Sequence, residues 1–226
     1  MSATFKALSA LLCYPSETLQ AAIAEIRGLI AAEGQIAPAV LAELEGFCAF
    51  IEQSDLIDLQ EHYVGLFDRS RQLSLHLFEH VHGESRDRGQ ALVDLAALYE
   101  QGGLERVDNE LPDYLPLFLE YLSTRPLDEA QSLLAETLQI LAALEERLRA
   151  RDSGYASLLR AIRSAAGDQS LPTVAVNLAS DLLAELDAEW AEPPVIFGPG
   201  AAACEGAGAT VASVPLSAVP RRARQT

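Results

Sequence analysis

Through most of this chain apolar residues return at steps of three and four, the spacing that lines one face of an α-helix. A first apolar run, residues 5–12, has to stop at Tyr14-Pro15, because the residue before a proline is pushed out of the helical region. Ser16 reads as the N-cap of a helix carrying Leu19, Ile23, Ile26 and Ile30 and ending near Gly34. Pro38 suits the first turn of a third helix, with Leu41, Leu44, Cys48 and Ile51 on its inner face. Asp55 caps a fourth that places Leu56, Leu59, Tyr63 and Phe67 together. A polar break over 68–72 and a short apolar piece over 73–81 lead to Gly83. A helix over 87–101 gathers Leu92, Leu95 and Tyr99 and stops at Gly102-Gly103, and Pro112 opens another that reaches about Ser123.

The longest periodic stretch, 127–150, repeats Leu127, Leu134, Leu141 and Leu148 every seven residues, with Ala130, Thr137 and Leu144 between them. A coiled-coil seam would look like this. Leu133, Leu138 and Ile140 widen the apolar face beyond two positions, which favours a central core helix instead. Helices over 155–165 and 173–190 follow. Past Trp190 the periodicity collapses into Pro193-Pro194, Gly198-Pro199-Gly200 and small residues. The pattern predicts an all-α protein: residues 1–190 as one compact helical bundle of about nine helices, residues 191–226 as a flexible tail.

Composition changes this picture little and charge changes it more. Half of the 226 residues are apolar, enough for a sizeable core without disulfides. Three cysteines, Cys13, Cys48 and Cys204, show no metal or redox spacing and point to a reducing, cytoplasmic setting. No run of 18 apolar residues occurs, which argues against membrane insertion. The net charge is −17, with 13 basic against 31 acidic residues up to Trp190 and 3 against 2 beyond it. Such a body repels phosphate backbones and favours cationic partners, so nucleic acid is a poor candidate ligand.

Two constellations carry candidate chemistry. His76, His80 and His82 lie within seven residues, the first two at the i, i+4 spacing of helical metal ligands. A helical metal-binding protein using these three histidines is the alternative reading, although Leu77 stands where a metalloprotease needs its glutamate. Glycines 198, 200, 206 and 208 lack the Gly-Lys-Ser/Thr of a phosphate loop, and no serine or cysteine sits in a nucleophile context. The segment 110–122 sets Glu110 and Asp113 against Tyr114, Phe118 and Tyr121, a mixture that suits a basic amphipathic peptide, although its periodicity alone favours an ordinary buried helix.

Residues 76–92 (HLFEHVHGESRDRGQAL) and 110–116 (ELPDYLP) together resemble the NarJ-type chaperones, the delta-subunit assembly factors of respiratory nitrate reductase. The opening Leu8-Ser9-Ala10-Leu11-Leu12-Cys13-Tyr14-Pro15 and the stretch 63–68 extend the resemblance. It implies a compact all-helical fold and a non-enzymatic role, without cofactor or metal of its own. Members bind the N-terminal segment of the catalytic alpha subunit, allow molybdenum cofactor insertion, and leave once the alpha–beta complex docks at the membrane. The wider redox-enzyme maturation family carries Glu-x-Pro-Asp-His; here Glu110, Pro112 and Asp113 match, and Tyr114 replaces the histidine, so roles needing that histidine are not carried over. Pattern and resemblance together nominate Glu110, Asp113, Tyr114 and Phe118, with Tyr63 and Phe67, as the peptide-binding residues of a monomer or weak dimer.

Overall fold

Capping chemistry sets the first half of the fold. In the computed structural model, which describes residues 2–82, 85–104 and 110–168, helix α1 (Ala3–Leu12) ends just before Tyr14-Pro15. Helix α2 (Glu17–Glu33) begins at Ser16, whose hydroxyl accepts from Leu19 N at 3.2 Å, and ends at Gly34 with φ 62°. That left-handed conformation favours glycine because a Cβ would crowd the backbone. Helix α3 (Pro38–Gln53) starts on its proline, and α4 (Leu56–Tyr63) on Asp55, whose carboxylate accepts from Ile57 N and Asp58 N.

The remaining elements are a π-helical turn (Val64–Asp68), a 3-10 turn (Arg71–Leu73), and six further helices. These are α5 (Glu79–His82), α6 (Arg86–Gln101), α7 (Leu115–Ser123), α8 (Leu127–Ala135), α9 (Leu138–Arg149) and α10 (Tyr155–Ala165). The described residues therefore hold ten α-helices and no strand, and the fold is all-α as the pattern predicts. The expected helix over 173–190 and the tail over 191–226 lie outside the described residues.

Helix α10 is the centre of the core. Tyr155, Leu158, Leu159, Ala161, Ile162 and Ala165 are all buried, with α9, α3 and α1 packed around them. Helix α1 in turn packs on α7 and α2. Its first-turn N–H groups, which no intrahelical carbonyl can reach, are met by a carboxylate from α2. Glu33 accepts from Ala3 N at 2.7 Å, from Thr4 N at 2.9 Å and from the Thr4 hydroxyl at 2.7 Å. Partial burial alone would raise the Glu33 carboxyl, but the hydrogen bonds from Thr4, Ala3 and Ser2 win and hold it at about 2.

A buried ion network fastens α9 to α10. Glu145 and Arg163 are 3% and 7% exposed, and Arg163 Nη1 donates to Glu145 Oε2 at 2.5 Å. Arg163 Nη2 reaches Asp168 at 3.0 Å, and Arg149 donates to the other oxygen of Glu145.

Three expected elements come out differently. The stretch 127–150 is two helices, broken at Glu136-Thr137, where the Thr137 hydroxyl takes the Leu134 carbonyl at 2.8 Å and competes with the helix ladder. Ala130, Leu134, Leu141, Leu144 and Leu148 face the protein's own core, so the heptad stripe is not an exposed dimer seam. The fourth helix does not stay α-helical to Phe67. It widens at Val64, with Arg69 N bonded to Val64 O, and this turns the adjacent Leu66 and Phe67 both inward. Finally, α7 begins at Leu115 and not at Pro112, because residues 111–114 are committed to a tertiary contact described next.

Candidate functional site

Residues 75–77 and 113–115 run antiparallel through an isolated bridge between His76 and Tyr114. Leu77 N donates to Asp113 O at 3.0 Å, and Leu115 N donates to Leu75 O at 2.8 Å. This contact joins the two segments that carry the family resemblance.

Asp113 fastens them from inside. It is fully buried, with Oδ1 3.1 Å from His76 Nδ1 and Oδ2 accepting from Phe78 N at 3.1 Å. Arg88 Nη2 stands 3.8 Å from the same Oδ2 and bonds Glu79 at 3.2 Å. A buried carboxylate is tolerated only when its oxygens are met in this way. The hydrogen bond to Asp113 raises His76 above the ordinary histidine range, against the opposing effect of burial. Pro112 adds a further tie, its carbonyl accepting from the buried Tyr99 hydroxyl at 2.7 Å.

In front of Asp113 lies a groove of about 320 Å³. Its walls are phenolic and its rim acidic. Tyr14, Tyr63, Phe67 and Tyr114 supply the rings, Asp68 and Glu110 the carboxylates, with Ser74, Leu75 and His76 completing the lining. Tyr63 donates to Leu12 O at 3.1 Å, and its hydroxyl meets that of Tyr114 at 3.3 Å. Tyr14 stands perpendicular to Tyr63 with centroids 5.5 Å apart, and Tyr63 lies 4.8 Å from Phe67. The π-helical turn carries Phe67 into this cluster. Burial pushes the phenols of Tyr63 and Tyr114 up, and for Tyr114 the Glu110 and Asp68 carboxylates act in the same direction.

Of the six nominated peptide-binding residues, Tyr63, Phe67, Glu110 and Tyr114 line this groove. Asp113 and Phe118 do not: both side chains are buried, Asp113 as the fastening and Phe118 in the hydrophobic core. Tyr14, Asp68 and His76 belong to the lining without having been nominated. The one sequence signal for Tyr14 is an aromatic just past a helix end and before a proline.

The histidines do not form the helical pair that their spacing predicts. His76 sits in the bridge, outside α5, while His80 and His82 lie within α5. His80 Nε2 is 2.8 Å from Ser74 O, and burial lowers its pKa. His82 stacks edge-on against Phe78 at 5.7 Å. Among the described residues no three His, Cys, Asp or Glu side chains gather to hold a metal. No described helix is long and apolar enough to cross a membrane.

A larger cleft of about 750 Å³ opens beside Phe47, Phe50, His62 and Ser153. Its Glu43 is paired with Arg160 and its Arg149 with Glu145 and Glu146. The tyrosine groove, by contrast, sets two carboxylates against four aromatic rings at a junction of both signature segments.

Comparison with known proteins identifies the fold and the family. The fold is that of redox-enzyme maturation proteins: a crystal structure described as that of a candidate redox enzyme maturation protein from Archaeoglobus fulgidus superposes with a TM-score of 0.53. It is 26% identical and covers 70% of this chain and 89% of its own. The family model for the nitrate reductase delta subunit matches residues 33–161. A relative from Escherichia coli (strain K12), the nitrate reductase molybdenum cofactor assembly chaperone NarJ, is 43% identical over 195 residues, 84% of this chain and 83% of that protein. This chain belongs to the nitrate reductase delta-subunit family, the NarJ-type chaperones.

Proposed function

We propose that this protein is a dedicated cytoplasmic chaperone for a respiratory nitrate reductase. It binds the N-terminal segment of the apo catalytic alpha subunit, permits insertion of the molybdenum cofactor into that client, and releases the alpha–beta complex for membrane docking. It is not part of the finished enzyme and performs no catalysis itself. The observation that carries this reading is the groove itself, where buried Asp113 fastens the two signature segments and presents Tyr63, Tyr114, Phe67 and Glu110 together.

The chemistry of that groove suits holding and not reacting. The phenols of Tyr63 and Tyr114 are pushed up by burial, as are the thiols of Cys13 and Cys48, the latter to about 11, so none of these four is an activated nucleophile at neutral pH. Aromatic walls supply affinity by removing apolar surface from water at about 25 cal/mol per Å². The acidic rim fixes the orientation of a basic amphipathic segment and speeds its arrival.

Two measurements test the proposal. Deleting the gene should leave nitrate reductase subunits present, inactive and poor in molybdenum cofactor; normal activity with full cofactor content would overturn it. Calorimetric titration with the alpha subunit's N-terminal peptide should show one-to-one binding that a Tyr114→Leu, Glu110→Gln variant weakens at least tenfold while its melting temperature holds. Light scattering is expected to show a monomer or weak dimer.

A further inference from the structure

The two prolines of the segment 110–116 create a difficulty that another helix resolves. In a helical turn the carbonyl of Pro112 would accept from the N–H of residue 116, but Pro116 has none. The Pro112 carbonyl is buried, and a buried carbonyl without a donor is costly. Its donor is the Tyr99 hydroxyl, at 2.7 Å, from the last turn of α6. We propose that Tyr99 is a positioning residue for client binding: from outside the groove it sets the Tyr114 wall by holding the Pro112–Asp113 peptide. This proposal rests on the client-binding reading above and adds to it a residue that does not touch the client.

Packing alone does not call for a tyrosine here. Tyr99 is 1% exposed, and among the described residues of α6 it alone is buried; Leu95 and Leu98 are half-buried and Val93 is exposed. Phenylalanine would fill the same space, and a phenol is worth burying only when its hydroxyl is met. The ring is held in turn by α7. Tyr121 lies against it with centroids 4.7 Å apart, and Arg125 stands 5.3 Å over the Tyr121 ring. Arg125 Nη2 donates to the Gly102 carbonyl at 2.9 Å, which ties the end of α6 back to the same stack. Gly102 makes room for this, since a Cβ there would stand 2.6 Å from Tyr121 Cε2.

What Tyr99 fixes at Pro112 is passed along the chain. The Pro112 carbonyl and the Asp113 N–H share one planar peptide unit, so holding the oxygen orients the start of Asp113. Asp113 then gives its own carbonyl to Leu77 N and its carboxylate to His76 and Phe78 N. Tyr114 follows with its place in the groove lining, to which Tyr99 does not belong.

The test compares Tyr99→Phe with the unmodified full-length protein, by calorimetric titration of a synthetic peptide of the alpha subunit's N-terminal segment. The variant keeps the ring and should bind about tenfold more weakly, because the Pro112 carbonyl loses its donor. Amide hydrogen exchange should quicken by a similar factor at Leu77 and Leu115, which donate across the bridge, and stay unchanged at Leu159 and Ile162 of α10. Tyr99→p-aminophenylalanine returns an N–H donor at the same place and should restore both readings. Full affinity in Tyr99→Phe reduces the residue to packing and overturns the proposal. So does weaker binding with exchange quickened equally in α10, or a Tyr99→Phe protein that does not fold, since either makes the hydroxyl a general structural support. Weak binding that the amino group does not restore places the effect elsewhere than the donor, and overturns the proposal as well. If the unmodified protein does not take up the peptide, the client-binding reading falls, and this one with it.

Discussion

Two buried carboxylates, Glu145 and Asp113, hold different parts of this molecule together in different ways. Glu145 lies inside the regular helical core, between α9 and α10, and its partners Arg163 and Arg149 are guanidinium groups that stay charged at any working pH. Asp113 lies where regular structure gives out, and its partners are a histidine, a backbone N–H and a more distant arginine. The first joins helices that already pack through apolar faces. The second joins two segments that have little regular structure of their own and that both line the groove. The core is thus fastened by two guanidinium groups, and the groove proposed as the binding site by a contact that includes a titratable ring.

The sharpest way to break that comparison is to remove both carboxylates in turn. Glu145→Ala leaves the Arg163 charge buried and should cost about 3–5 kcal/mol in urea unfolding, with peptide affinity unchanged wherever the protein remains folded. Asp113→Asn should cost less, about 1–3 kcal/mol, yet weaken peptide binding strongly, because Tyr114 and Glu110 lose their placement. If the two variants lost binding in the same proportion to stability, the division between core and site would fail. Glu33→Gln provides a third carboxylate, at a helix start, with an expected loss of about 1 kcal/mol at neutral pH and no effect on binding. With Glu33 held at about 2 in the folded protein against 4.5 ordinarily, its contribution is complete above about pH 4.5 and disappears as pH falls towards 2. The variant should therefore show a flatter acid limb in thermal melts.

The smallest effect comes from the histidines, and its sign separates them. His76 is raised by Asp113, so its contribution is complete below about pH 6.5 and is lost as pH rises through its higher folded value. His80 is lowered by burial, so its contribution is complete above that pH and is lost as pH falls through its lower folded value. Urea midpoints measured between pH 5 and 8 should show His76→Gln removing the decline on the alkaline side and His80→Gln removing the one on the acid side.

What the sequence made legible was whatever depends on near neighbours along the chain. Ser16, Asp55, Pro38 and Gly34 each act on residues within one turn, and each does in the structure what its type predicts. The failures involve partners far away in sequence. Pro112 and Asp113 have the composition of a first helical turn, but Asp113 is claimed by His76 and Phe78, 37 and 35 residues distant, and the helix waits until Leu115. The same burial removes Asp113 and Phe118 from the groove that motif and periodicity assigned them to. Tyr14 had only its place before Pro15 to announce it, because its packing is set by Tyr63, far off in sequence in α4. Family motifs marked the two segments that the bridge joins; packing decided which of their side chains line the groove.

The bridge between 75–77 and 113–115 has a consequence for the order in which the molecule assembles. Leu77 and Asp113 are 36 residues apart, and the chain between them must be gathered before their hydrogen bond forms. Loop closure of that length is entropically costly, whereas α1, α2 and α3 follow one another closely and can condense early. The groove is accordingly among the last features to appear during folding and among the first to open when the protein is stressed. A half-folded copy of this chain would lack the groove proposed to receive the client.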